Sequence, residues 1–190
     1  MGDLLSQLQQ IRQRANQLVA GLTPEQLTRR PDPARWSIAE CLAHLNITGK
    51  GYLPLIEDAI RRGREQKMLG SGPFSPGPLG RLLKWIAEPP PKFRMRAPKA
   101  ILPPTTITDP AQVVNDFMRL QDDWERLVRA CDGLDLKKIK CKSPFAGLPA
   151  LRLSAPIPWM LAHERRHLLQ AEGVKQQLGI AKAIHQTGSK

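Results

Sequence analysis

Apolar residues recur every three or four positions in four long stretches of the chain. Leu4, Leu5, Leu8, Ile11, Ala15, Leu18 and Val19 predict an amphipathic helix over residues 3–20 that ends near Gly21. Ile38, Cys41, Leu42, Leu45 and Thr48 form a second stripe, opened by Ser37 and Glu40 in the S-x-x-E pattern of a capping box. Pro54 removes a helical hydrogen bond and crowds the carbonyl four residues back, so a kink or short break is expected near residues 50–53, with the helix resuming to about Arg62. Val113, Phe117, Leu120, Trp124, Leu127 and Val128 form a third stripe, introduced by Asp109 as cap and Pro110 at the first position, and ending around 131–133. The fourth helix is expected to start at Ser154, tolerate Pro156 and Pro158, and carry "WMLAHERRHLLQAEGV".

Shorter pieces lie between these stretches. "TPEQL" at 23–27 predicts one helical turn, with Thr23 as cap and Gln26 reaching back. Residues 63–108 are irregular and rich in proline, with a short helix expected over 79–87. A connection this long is either a lid over a site or a crossover. Residues 134–153 read as loop with short alternating pieces, "KQQLG" adds a last turn, and residues 179–190 form a tail in which His185 is expected in solvent. The fold class that follows is all-α: a single four-helix domain over residues 1–178, with the long Pro-rich connection joining helices two and three.

The formal net charge is +12, which favours anionic ligands or surfaces. The cations are scattered in three clusters: Arg61, Arg62, Arg64 and Lys67; Lys92, Arg94, Arg96 and Lys99; and Lys137, Lys138, Lys140 and Lys142. No aromatic platform of the RNA-binding kind lies among them, so a solvated surface is the first reading and nucleic acid is not an expected partner. Cys41, Cys131 and Cys141 are odd in number and contain no C-x-x-C pair, which argues against a disulfide framework and for a reducing cytoplasm. The N-terminus has no apolar core of a signal peptide and no run approaches a membrane span, so no membrane partner is expected.

Candidate chemistry rests on histidine. His163 and His167 are four residues apart on one helix, and their rings therefore point the same way. His44 falls on the inward stripe of the second helix. Two facing helices could bring the three imidazoles onto one ion and leave its shell open, as in catalytic zinc or nickel-like sites. The alternative is that the histidines pack and hydrogen-bond with no metal. "HERRH" also matches H-E-x-x-H of zinc proteases. The protease reading fails on its third ligand, because position 170 is Gln, position 173 is Gly, and Glu172 lies too close to His167. Glu164 and Arg165 then read as polar face and Arg166 as flanking a pocket edge. Glu40 and Gln170 are expected to orient the ligands. Cys41 could join them but reads first as a small core residue.

The motifs W-S-x-x-E-x-x-x-H-L at 36–45 and H-x-x-R-H-x-x-Q at 163–170 together resemble the DinB-like superfamily of the YfiT type. The resemblance spans the chain to about residue 178. It implies a four-helix bundle, commonly a homodimer, with a divalent metal on three histidines, here His44, His163 and His167. It also implies thiol S-transferase or isomerase activity with low-molecular-weight thiols, or metal-dependent hydrolysis, acting on a small molecule. The long insertion around 70–108 departs from shorter members of the family. Two functions are therefore expected: a metal-dependent transferase or hydrolase, or a non-catalytic module that binds an anionic partner through its basic surface.

Overall fold

The elements begin where their capping residues stand. Thr23 and Gln26 close a reciprocal capping box, Ser37 and Glu40 close a second, and the Asp109 carboxylate accepts from the Gln112 N–H. The computed structural model describes residues 2–93, 96–145 and 147–180. Its helices are α1 (Gly2–Val19), α2 (Pro24–Thr28), α3 (Ile38–Glu65), α4 (Gly77–Ala87), α5 (Pro110–Ala130) and α6 (Pro156–Gln177). A two-residue antiparallel pair, β1 (Lys140–Cys141) and β2 (Leu151–Arg152), precedes α6. His185 and Arg94 lie outside the described residues, as does the tail beyond residue 180. Among the described residues no helix is long and apolar enough to cross a membrane.

The bundle is α1, α3, α5 and α6. Helix α3 packs on both α5 and α6, and α1 packs on the same two, so α1 and α3 stand diagonally across the core. Ile11, Ile38, Leu42, Phe117, Trp124 and Leu161 are among the side chains that fill it. Polar ties fix the helices' relative positions. Asn46 Nδ2 donates to the Val113 carbonyl (2.9 Å), Lys175 Nζ to the Leu18 carbonyl (2.8 Å), and Arg14 pairs with Glu172. Glycine permits the close approach of α3 and α5 at Gly49, where a Cβ would lie 2.6 Å from Leu120 Cδ2.

Two expectations are corrected. Helix α3 runs through Pro54 without the break expected near residues 50–53. The proline lies on the exposed face, while Tyr52 and Ile56 on either side are buried in the core. Burial of such side chains, about 1.5–3 kcal/mol each, offsets a proline cost of about 3 kcal/mol. Ser154 does not cap the last helix. Its hydroxyl donates to the Ser75 carbonyl (2.9 Å), Ala155 is the capping residue without a side-chain bond, and Pro156 occupies the first turn, where its missing N–H costs nothing.

Between α3 and α5 the described residues form α4 and a 3-10 turn, Lys99–Ile101. Helix α4 packs on α6 so closely that a Cβ at Gly80 would lie 2.7 Å from Ala155 Cβ. Arg165 clamps Glu88 through two bonds of 2.7 Å, and Arg166 donates to the carbonyls of Ile86 (3.0 Å) and Phe93 (2.8 Å). The connection is thereby fastened along one side of α6, and the 3-10 turn rests on α3.

Candidate metal centre

Helix α3 carries His44 and α6 carries His163 and His167, and packing of these two helices brings the three imidazoles together. One nitrogen from each lies within 4.8 Å of the others. His163 Nε2 stands 3.2 Å from His44 Nε2 and 3.1 Å from His167 Nε2. No Asp, Glu or Cys joins the group among the described residues.

The outer nitrogens decide what the inner ones offer. His44 Nδ1 lies 2.7 Å from the Ile101 carbonyl, which can only accept, so Nδ1 carries the hydrogen and Nε2 a lone pair. His167 Nδ1 donates likewise to Gln170 Oε1 (2.9 Å). His163 Nδ1 is buried with no hydrogen-bond partner. Its ring plane is set instead by Trp159, stacked at 5.2 Å and 9°. Trp36 covers the other two rings, 5.0 Å from His44 and 5.8 Å from His167.

Burial holds the three imidazoles neutral. It lowers His44 against the pull of its bond to Ile101, and pushes His167 down to about 3. Burial, reinforced by its two neighbours, holds His163 well below the ordinary histidine range. The lone pairs of His44 and His167 Nε2 converge on His163 Nε2 and call for a proton or a cation between them. Zinc–imidazole bonds of about 2.0–2.1 Å put neighbouring nitrogens of a tetrahedral shell about 3.3 Å apart. The observed spacings fit such an ion, as does a neutral nitrogen donor set.

The surrounding residues divide. Gln170 touches His167, the position expected of an orienting partner. Glu40 goes elsewhere: its carboxylate takes the Arg30 guanidinium and the Ser37 N–H, so it stabilises the start of α3. Cys41 is wholly buried in the core and its thiol is pushed far up by desolvation, which leaves it a packing residue. Arg166 is not poised for a ligand, since both its terminal nitrogens serve the carbonyls of Ile86 and Phe93. Ile101, Trp36 and Trp159 were not expected as partners of the histidines. The first acts through a backbone carbonyl, which leaves no mark in a sequence.

Glu164 corrects the polar-face expectation. It is fully buried, turned toward α5, and accepts from Trp124 Nε1 (3.0 Å) and Gln121 Nε2 (3.2 Å). Desolvation raises it to about 7. Both donors sit on α5, so the glutamate of "HERRH" serves packing between helices.

Replacing Gln170 by Ala removes the acceptor of His167 Nδ1. Loss of an outer partner usually weakens metal affinity 10- to 100-fold, and because Gln170 is exposed, where water can substitute, a loss of about tenfold is expected. Competition with a chromophoric chelator measures it. Unchanged affinity would show that Gln170 does not orient the ring.

Three neutral imidazoles delivered by two helices define this as a helical-bundle protein with a candidate metal centre. The chain belongs to the DinB superfamily, whose sequence profile matches residues 7–171 and so spans all three histidines. It is similar in fold to a solved structure described as YfiT from Bacillus subtilis, a probable metal-dependent hydrolase with an unusual four-helix bundle topology. The superposition covers 95% of this chain and 88% of that one, at 13% identity and a TM-score of 0.61. No curated protein gives a significant sequence match.

Proposed function

We propose that this protein is a divalent-metal-dependent enzyme that activates a thiol or water for attack on a small electrophile, with His44, His163 and His167 as ligands and zinc or nickel as the metal. The convergence of three neutral imidazole nitrogens, two of them fixed in the tautomer that turns a lone pair to the centre, carries this reading. A bound divalent ion supplies Lewis acidity that lowers the pKa of the nucleophile. The chain's own residues do the rest. Ile101 and Gln170 hold two rings in the tautomer a ligand needs, and Trp36 and Trp159 wall the rings from solvent.

Among the described residues no carboxylate joins the three histidines, which favours a thiol as nucleophile. A thiol, with an ordinary pKa of about 8.5, sheds its proton with far less help than water does. In transfer, a carbon–sulfur bond forms, the leaving group departs with its electron pair, and the thiol proton passes to solvent. The description of YfiT as a probable metal-dependent hydrolase supports water as the second nucleophile.

The test loads metal-free protein with zinc or nickel and measures conjugation of a low-molecular-weight thiol to a chromogenic electrophile, alongside ester hydrolysis. Metal-dependent conjugation that falls to background in His44→Ala is the expected result. Hydrolysis alone would select water. Acceleration of neither reaction by fully loaded protein across a panel of thiols and electrophiles would contradict the proposal.

A further inference from the structure

Helix α4 is turned the opposite way from an ordinary surface helix. Its buried positions are the small residues Gly77, Gly80 and Ala87, and Gly80 allows the close approach to Ala155 at the start of α6. Three of its five large apolar residues face solvent, while Leu83 and Ile86 are half-buried. Leu79, Leu82 and Trp85 recur every three positions along the outer face, with Leu82 50% and Trp85 51% exposed. Phe93, 55% exposed, extends the patch by packing edge-on against Trp85 at 6.3 Å. Contiguous exposed side chains of this size mark a binding surface far more often than singly scattered ones do.

The charge of the segment that carries the patch is almost all of one sign. Residues 66–108 contain seven Lys or Arg and a single acid, Glu88. That acid is already held by Arg165. Arg81 is exposed beside the stripe, and Lys92 Nζ lies over the Trp85 ring at 5.4 Å. Arg165 and Arg166 fasten the C-terminal end of the patch, residues 86–93, to α6.

We propose that the outer face of α4, with Phe93, docks on an anionic lipid bilayer. Leucine, tryptophan and phenylalanine on one face with lysine and arginine around them is the composition of a helix that lies in the headgroup plane. An anionic bilayer answers both halves of the surface: its acyl boundary takes Leu82 and Trp85, and its headgroups take Arg81 and Lys92. A second copy of the chain answers only one. Pairing two copies through this face would bring Arg81 and Lys92 of each together, with Glu88, the one acid of residues 66–108, already held by Arg165. The docking stands independently of the metal chemistry.

The experiment is co-sedimentation of the full chain with vesicles of phosphatidylcholine alone or mixed with phosphatidylglycerol. Binding to the mixed vesicles, little binding to phosphatidylcholine, and release by salt are expected. The double substitution Leu82→Glu and Trp85→Glu, at exposed positions, lowers the bound fraction about tenfold or more while leaving the helical circular dichroism unchanged. Arg81→Glu with Lys92→Glu does the same through charge alone. The proposal is overturned if wild-type protein stays in the supernatant with the mixed vesicles, or if the Leu82/Trp85 variant binds like wild type. It is equally overturned if equilibrium sedimentation shows a wild-type dimer that this variant converts to monomer, which assigns the face to a second copy.

Discussion

Metal-free wild-type protein gains about 10 °C in Tm when zinc is added at roughly a thousand times its dissociation constant, and His163→Ala gains nothing. Ligand at that excess stabilises the state that binds it by about 4 kcal/mol, and a chain of this length shifts by about 2–4 °C per kcal/mol. His163 is the position to remove because its Nε2 stands between the other two, 3.2 Å from one and 3.1 Å from the other. Two remaining imidazoles, His44 and His167, cannot hold an ion as three do. Differential scanning fluorimetry with a chelator control checks this. A zinc-dependent shift that survives in His163→Ala would move the site away from the triad.

Glu164→Gln raises stability more at pH 8 than at pH 5. The carboxyl lies at about 7 in the folded chain against an ordinary value of 4.5, so between those limits the native state holds a proton that the unfolded chain has lost. Its contribution is therefore fully present below pH 4.5 and is lost as pH rises through 7. At about 1.4 kcal/mol per pKa unit the loss is on the order of 3 kcal/mol. Glutamine does not titrate and can accept from Trp124 as the acid does. Its amide also brings a donor to a region where Glu164 Oε2 and Gln121 Oε1 are both buried and unpartnered. Urea denaturation of both proteins with chelator present, at pH 5 and pH 8, gives the difference. Parallel pH profiles would refute a proton-holding Glu164. In an H-E-x-x-H protease the same substitution would remove the residue that activates water and offer no such gain.

The bundle was legible because its signals are local. The capping boxes at Thr23 and Ser37 and the cap at Asp109 stand where the sequence places them, and the apolar stripes become the core. The histidine group was legible for a related reason: His163 and His167 share a helix face by spacing alone, and His44 lies on an inward stripe. The parts that escaped depend on partners remote in sequence. Ile101 meets His44 through a backbone carbonyl, and Arg166 is consumed by carbonyls of the connection. Glu164 was readable in principle. Leu161, Glu164, Leu168 and Ala171 follow the three-and-four spacing of a buried stripe, and only the carboxylate's usual cost of burial argued for solvent. Helix α4 forms where a short helix is expected, but its orientation depends on packing against α6: Gly77 and Gly80 are buried while Leu79 and Leu82 are not.

The central claim is that three histidines on two helices hold one divalent ion. Elemental mass spectrometry on untagged protein, with His44→Ala in parallel, tests it most directly. About one ion per chain in the wild type, lost when the ligand on α3 is removed, is the predicted result. Wild-type protein that carries no ion even after reconstitution with zinc and with nickel would contradict it and leave the histidines as packing residues of the core.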